Sequence, residues 1–550
     1  MAVYLDMETS TEKKCELVDY SEFTLAQLER TYGYREFRPG QFEAINAIVN
    51  GRDLLAVMPT GSGKSICYQL PATRPGTFSI VVSPLRALMH DQVRALREHN
   101  VRAALIDSEI AFNERRQIYQ EALKGNIQLL YVTPERLRMS EFLNFVRYAR
   151  IDLLAVDEAH CVLQWGYDFR PEYMQIGKFI NRLSHRPVVA AFTATATPRQ
   201  IPQIARGLNL IQPICVSTGF DRPNIHFSTV HIRDESRLDF IIDWADCSQG
   251  SGIVYCNTIK ACDVTAECLC EFGIDAKAFY APMDGVRKNE IQDGFLKGSP
   301  RVICATTAFG MGIDKPDVRW VINNGPCDSI EAFYQEAGRA GRDGRPAQNV
   351  VLWNDADFDD WSRRHSKDAG SAIRDPRTKE LIRQATMDRL ESMRQYCTTR
   401  SCLRSFILTY FGDNAPESCD NCGNCNRKRR QDHARRRALE RERANEKIEI
   451  FEEIQGEEPA PVEVPDTSMD STIIGFIEEE QKLFGHGEAL GPTIQALRGI
   501  QGNLEQVELE GYGKLSDRNH EVIRKRIKEL IGCGRLACDS ENRIISPGSR

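Results

Sequence analysis

The segment Met58-Pro-Thr-Gly-Ser-Gly-Lys-Ser65 constrains this chain more than any other. An apolar run, Leu54–Val57, feeds it, and a helix-like run, Ser65–Leu70, follows. A glycine loop in that setting reads as strand, phosphate-cradling turn and helix N-terminus. Its N–H groups can wrap a phosphate, Lys64 can reach the β- and γ-phosphates, and Ser65 can hold Mg²⁺. Thr60, Gly61, Ser62 and Gly63 complete the cradle. The strict pattern wants glycine where Met58 stands. A plain surface turn is the alternative, and the flanking strand and helix argue against it.

A second signature, Asp157-Glu-Ala-His160, follows the apolar run Ile151–Val156. Asp157 then sits at the end of a buried strand, placed for the same Mg²⁺, and Glu158 can orient or deprotonate water. Together the two segments imply hydrolysis of a nucleoside triphosphate.

At 550 residues the chain exceeds one hydrophobic core, so three to four domains are expected at ~100–200 residues each. No stretch approaches the ~20 apolar residues of a membrane span. The N-terminus carries acids and lacks the apolar core of a signal peptide. These features predict a chain of the cytoplasm and nucleoid, or of the nucleus in a nucleated cell, with no membrane partner. Net charge is −7, a weak argument against nucleic acid, because binding needs only a local basic track.

Strand-like and helical runs alternate through residues 21–215 (Asp53–Val57, Ser79–Val82, Gln128–Val132, Leu153–Val156, Val188–Phe192). The style repeats in 216–355 (Ser251–Tyr255, Ala276–Phe279, Arg301–Ala305, Val318–Ile322, Asn349–Leu352). The fold class expected is α/β, with two parallel-sheet lobes covered by helices. Residues 1–20 read as an extension and 356–430 as a helical, cysteine-rich subdomain. Residues 431–470 read as a charged linker. Its acidic, proline-bearing part, 448–466, is a candidate docking segment for a protein partner. Residues 471–550 form a last small unit. Helix-like Thr472–Phe484, Pro492–Arg498 and Glu521–Ile531 precede a hairpin, the order of a winged helix.

Further motifs surround the two signatures: Tyr34-Arg-Glu-Phe-Arg-Pro-Gly-Gln41, Val82-Ser-Pro-Leu-Arg-Ala-Leu-Met-His-Asp-Gln92, Tyr131-Val-Thr-Pro-Glu-Arg136, Phe192-Thr-Ala-Thr-Ala-Thr-Pro198, Ala305-Thr-Thr-Ala-Phe-Gly-Met-Gly-Ile-Asp-Lys315 and Gln335-Glu-Ala-Gly-Arg-Ala-Gly-Arg-Asp-Gly344. With these, residues 25–425 resemble the RecQ family of superfamily 2 DNA helicases. The two sheets would then be RecA-like lobes. The resemblance implies that Gln41 reads adenine, with Tyr34 and Arg38 on base and phosphate. It implies that Gln335, Arg339 and Arg342 reach the nucleotide from the second lobe. An arginine of this kind contributes ~10³–10⁵ in rate in other NTPases.

After Asp157–His160 comes Cys161-Val-Leu-Gln-Trp-Gly-Tyr-Asp-Phe-Arg-Pro-Glu-Tyr173, similar to the family's aromatic-rich, DNA-sensing loop. Trp165, Tyr167 and Phe169 would stack on bases, and Arg170 would contact phosphate or base. The chain departs from the family pattern at Leu163, Tyr167, Tyr280, Pro282 and Asn323-Asn324, and both second-lobe stretches are read as candidate DNA-facing loops. These departures bear on coupling and unwinding strength, not on hydrolysis.

Eighteen cysteines are present, most in apolar contexts that suit small reduced core residues. Cys402, Cys419, Cys422 and Cys425 differ: their spacing allows a tetrahedral thiolate shell. Zinc or an iron–sulfur cluster would satisfy the spacing, and the family match points to a structural Zn²⁺. The basic run after Cys425 reads equally as a phosphate track or a solvated charged helix.

The resemblance implies an ATP-, Mg²⁺- and Zn²⁺-dependent DNA helicase, translocating 3′→5′ and acting on single-stranded, tailed or branched DNA in repair or recombination; the sequence does not fix the oligomeric state, of which a monomer is the favoured one. The alternative is a DNA-dependent ATPase acting as translocase or strand-annealing factor with weak unwinding.

Overall fold

The computed structural model describes residues 3–4, 17–59, 61–163, 170–309, 315–368, 376–432, 435–437 and 469–484, with 493, 527–528, 530–531, 536–538 and 544–545. Two sheets dominate. The first contains β1 (Val3–Tyr4), β2 (Leu54–Val57), β3 (Ser79–Val82), β4 (Ala103–Ile106), β5 (Leu129–Val132), β6 (Leu153–Val156), β7 (Val188–Thr193) and β8 (Ile214–Ser217). Their spatial order is β1-β8-β2-β7-β6-β3-β5-β4. All neighbours are parallel except β1, which pairs antiparallel with β8. The strands are fully buried apolar runs, as parallel sheets covered on both faces require.

The second sheet contains β9 (Ile225–His231), β10 (Ser251–Cys256), β11 (Ala276–Phe279), β12 (Val302–Ala305), β13 (Val318–Asn324) and β14 (Ala347–Trp353). It is parallel throughout, in the order β11-β12-β10-β13-β14-β9. The two parallel-sheet lobes expected from the alternating pattern are therefore present.

Strands β1, β4, β8 and β9 were not among the runs read from sequence. β4 is a four-residue strand at the sheet edge. The lobe boundary drawn at 215/216 falls inside β8. That strand pairs with β2 from Ile214 to Ser217, so the first sheet extends to Ser217.

Helices Asp355–Asp368, Pro376–Thr398 and Leu403–Tyr410, with a further helix over 423–432, follow the second lobe. They are not a separate bead: Leu390, Tyr396, Leu403 and Phe411 share one apolar core with residues of both lobes. In the C-terminal unit the helix Met469–Phe484 packs Ile473, Phe476 and Ile477 against Leu536 and Ile544. Ala537–Cys538 pairs antiparallel with Ile544–Ile545. These are two of the parts a winged helix needs; most of 492–498 and most of 521–531 lie outside the described residues. No helix among the described residues is long and apolar enough to cross a membrane.

Candidate nucleotide and nucleic-acid site

The glycine loop lies between β2 and the helix Lys64–Ala72, whose N-cap is Gly63 at φ 81°. Gly61 also has positive φ, at 85°. Glycine takes this conformation at little cost, and it turns successive N–H groups toward a common point. Lys64 Nζ donates to the Met58 carbonyl at 3.1 Å, inside the loop it closes. Burial lowers the Lys64 ammonium from its usual range, while Glu158 and Asp157 pull it back up. A cation held there against desolvation has a strong drive to take an anionic partner.

The residues expected to read the base surround the loop. Tyr34 is exposed. Arg38 Nη1 donates to the Gly61 carbonyl at 2.8 Å. Gln41 Nε2 donates to the Gly63 and Ser62 carbonyls at 3.1 and 3.3 Å, and its Oε1 accepts from the Arg38 N–H at 2.9 Å. Both side chains thus brace the loop directly. Ser65 lies in the first turn of the helix that follows, within electrostatic reach of the Tyr68 hydroxyl. Thr60 lies outside the described residues.

Asp157 directly follows β6, which lies next to β7 and two strands from β2, and its charge acts on Lys64 of the loop. Burial, and then the Glu158 charge, raise its carboxyl to about 7. Such a group gains by binding a cation, and with Ser65 it suits a hard Mg²⁺ ion. Glu158 sits at φ 48°, a costly conformation for a residue with a side chain. His160 Nδ1 lies 3.3 Å from a Glu158 oxygen and 2.9 Å from Thr193 Oγ1. Thr193 Oγ1 in turn donates to the Thr195 carbonyl and accepts its N–H, at 3.1 and 3.2 Å. His160, Thr193 and Thr195 were quoted within motifs but not as site residues; only the fold joins them.

The second lobe closes on this arrangement. Gln335 Nε2 donates to Thr195 Oγ1 at 3.3 Å. The Arg342 stem packs on Gly61, with Cγ 3.4 Å from where a Cβ would stand. Arg339 is buried beside Phe309, Lys315 and Val318 of its own lobe, near enough to Lys64 to act on its charge. Gln335, Arg339 and Arg342 are therefore gathered with Lys64, Asp157 and Glu158.

Of the aromatic loop, Trp165, Tyr167 and Phe169 lie outside the described residues. Arg170 is placed: its Nη1 donates to the Pro84 carbonyl at 3.4 Å, tying the loop's end to the segment after β3. Tyr280 is half-buried, its hydroxyl 3.5 Å from Asp263, and Pro282 is exposed. The expectation that Asn323 faces DNA is corrected. It is buried in β13, donating to Glu336 Oε2 at 2.6 Å and accepting from Asn349 Nδ2 at 2.9 Å.

The four cysteines Cys402, Cys419, Cys422 and Cys425 converge, their sulfurs within 4.8 Å of one another. A tetrahedral Zn²⁺ with Zn–S bonds of ~2.3 Å sets its sulfurs about 3.8 Å apart. Cys402 and Cys422 Sγ are 4.0 Å apart, so the donor set fits. Cys397 is buried outside the cluster, in the apolar core. Cys402 also caps the helix Leu403–Tyr410, accepting the Ser405 N–H.

Two parallel α/β lobes, with a glycine loop in the first and Arg342 of the second packed on it, have the architecture of a two-lobed helicase. The comparisons agree. Residues 38–204 match the DEAD/DEAH box helicase profile, 237–344 the helicase conserved C-terminal domain, and 356–426 the RecQ zinc-binding profile. The chain is 36% identical over 416 residues to the ATP-dependent DNA helicase RecQ of Pasteurella multocida, covering 74% of this chain and 64% of that protein. It is 39% identical over 401 residues to the Bacillus subtilis protein of the same name, covering 72% and 66%. Thus it spans slightly under two thirds of the length of these relatives. The fold is also that of the DEAD-box helicase Mss116 bound to ssRNA and UDP-BeF (TM-score 0.53, 17% identity, 68% of this chain and 84% of that one). The chain belongs to the RecQ helicase family.

Proposed function

We propose that this chain is an ATP-dependent DNA helicase that moves 3′→5′ along single-stranded DNA and opens tailed or branched duplexes. The observation that carries the reading is Arg342 of the second lobe packed on Gly61 of the phosphate loop. Hydrolysis in such a site depends on how the lobes meet, and that dependence is what converts chemistry into movement.

In this reading Gly61, Ser62, Gly63 and Lys64, with Thr60, hold the phosphates, and Tyr34, Arg38 and Gln41 hold the base. Ser65 and Asp157 would hold Mg²⁺, which supplies charge neutralisation at the phosphates. Glu158 orients the attacking water. Arg342 and Arg339 offset the charge that spreads over the γ-phosphoryl oxygens, and Gln335 senses closure. Trp165, Tyr167, Phe169 and Arg170 connect bound DNA to Glu158. The 3′→5′ direction and a place in repair or recombination rest on the family resemblance; a nucleoid or nuclear location rests on the acidic N-terminus and the absence of a long apolar run. A winged-helix role for 471–550 and a protein partner for 448–466 belong to the same proposal.

The test is ATP- and Mg²⁺-dependent unwinding of paired duplexes with a 3′ or a 5′ tail. Opening of the 3′-tailed duplex alone is expected. Failure on both, with DNA-stimulated hydrolysis intact, would assign the chain to the translocase or strand-annealing class instead.

A further inference from the structure

The turn that closes the helix Leu403–Tyr410 touches both lobes and the hinge between them. Phe411 stacks on Phe220 with ring centroids 4.3 Å apart and planes 7° from parallel. Asp413 Oδ2 accepts the Phe220 N–H at 2.7 Å. Tyr334, from the helix that carries Gln335, donates its hydroxyl to the Phe220 carbonyl at 2.8 Å. Phe220 comes three residues after β8, where the chain leaves the first lobe. Gly412 approaches the first lobe so closely that an added Cβ would overlap the Pro198 ring. Pro198 directly follows the Thr193–Thr197 segment.

One buried carboxylate sits where the three units meet. Glu331 is 1% exposed, in the first turn of the second-lobe helix Ile330–Ala337. Its Oε1 accepts from Gln200 Nε2 of the first lobe at 3.3 Å. Gln200 Oε1 in turn accepts the Thr197 N–H at 2.8 Å. The Tyr410 hydroxyl of the cysteine module and Arg389 lie within electrostatic reach of the same carboxylate, whose Oε2 has no hydrogen-bond partner among the described residues. Glu331 and Gln335 are four residues apart, on one face of their helix. That face therefore makes both cross-lobe contacts, one at Thr195 and one at Gln200.

We propose that Glu331 is a positioning residue that makes closure of the two lobes depend on the seating of the cysteine module. The helix Leu403–Tyr410 and the turn Phe411–Asp413 act as a brace across the hinge. Cys402 caps that helix, so the cluster sets where the brace begins. Through Glu331 the brace reaches the helix of Gln335, and through Pro198 the end of the threonine segment. This inference rests on the proposed ATPase but not on unwinding. A carboxylate so placed changes the energy of closure without touching the nucleotide, so it acts on nucleotide affinity rather than on the chemical step.

The experiment compares Glu331→Ala, Glu331→Gln, Tyr410→Phe and Gly412→Ala in the full chain. Hydrogen exchange of the hinge, residues 217–224, and steady-state ATP hydrolysis are measured with and without a zinc chelator. Glu331→Ala is expected to speed hinge exchange and raise KM for ATP about tenfold, the size of one lost hydrogen bond to a charged group, with kcat within about twofold. Glu331→Gln keeps an acceptor for Gln200 and restores most of both values. Tyr410→Phe and Gly412→Ala move both readouts in the same direction. Chelation has the same effect in the wild-type chain and adds little to Glu331→Ala. Unchanged hinge exchange and KM in Glu331→Ala, or in Tyr410→Phe and Gly412→Ala if the alanine variant does not fold, would overturn the proposal. Absence of hydrolysis in the wild-type chain would defeat the proposed function, leaving hinge exchange to decide the brace.

Discussion

The side-chain amide of Gln335, in the second lobe, donates to the hydroxyl of Thr195, in the first, at 3.3 Å. It is the last link of a chain that runs from Glu158 through His160 and Thr193. Glu158, which we propose orients the attacking water, thereby stands at one end of a line of contacts that reaches the opposite wall of the cleft. We expect Gln335→Ala and Thr195→Val each to lower kcat about tenfold, because each removes the link to Glu158 and not only a bond made on closure. The double variant should be little worse than either single one, and a double-mutant cycle on ATP hydrolysis measures this. Fully additive losses would show that the two residues act separately.

Lys64 closes the phosphate loop from within, and Arg342 of the second lobe packs on it from outside. Lys64→Ala should abolish hydrolysis; normal turnover by that variant would remove the site assignment. Arg342→Ala should lower kcat by about 10³ while a fluorescent ATP analogue still binds, because its charge matters most in the transition state.

The cysteine cluster lies against β9 through the Phe227–Cys422 bridge, and Arg404 beside it donates to the Ile225 carbonyl at 2.7 Å. Metal analysis should find one zinc per chain. Cys422→Ser should lose it and lower the melting temperature by several degrees, at about 2–4 °C per kcal/mol for a domain of ~150–250 residues. Full zinc content in that variant would exclude Cys422 as a ligand.

Glu336 is buried against Asn323, which donates at 2.6 Å, and Cys327, which donates at 3.1 Å. Burial raises its carboxyl from 4.5 to about 7. A carboxyl raised in the folded chain keeps its proton where the unfolded chain has lost it. Stability should therefore fall as pH rises from about 4.5 to 7, by on the order of 3 kcal/mol for a shift of that size. Glu336→Gln should flatten that slope. Denaturant melts of both chains across pH 5–8 give the comparison, and parallel slopes would show that Glu336 does not titrate there.

Much of the site was legible because its chemistry is local. A phosphate loop needs Gly61, Gly63, Lys64 and Ser65 within a few residues of a strand end, so spacing alone exposes it. The same holds for Asp157 and Glu158 after β6, and for Cys419, Cys422 and Cys425. Asn323 shows the opposite case. As a departure from a family pattern it suggested a DNA-facing position, yet β13 turns it inward, where Asn349 and Glu336 satisfy its amide. Alternation within one strand does not say which neighbouring strand or helix covers each face.

By itself the sequence determined two α/β lobes, the phosphate loop, the acidic pair and the thiolate set, since each depends on residues close in the chain. Only the tertiary structure decided that Gln335 meets Thr195, that Arg342 rests on Gly61, and that Glu331 stands between Gln200 and Tyr410. Those pairs lie from 79 to 281 residues apart in the chain. They exist because hydrophobic burial joins the lobes and the cysteine module in one shared core, and no short-range pattern encodes which surfaces that core brings together.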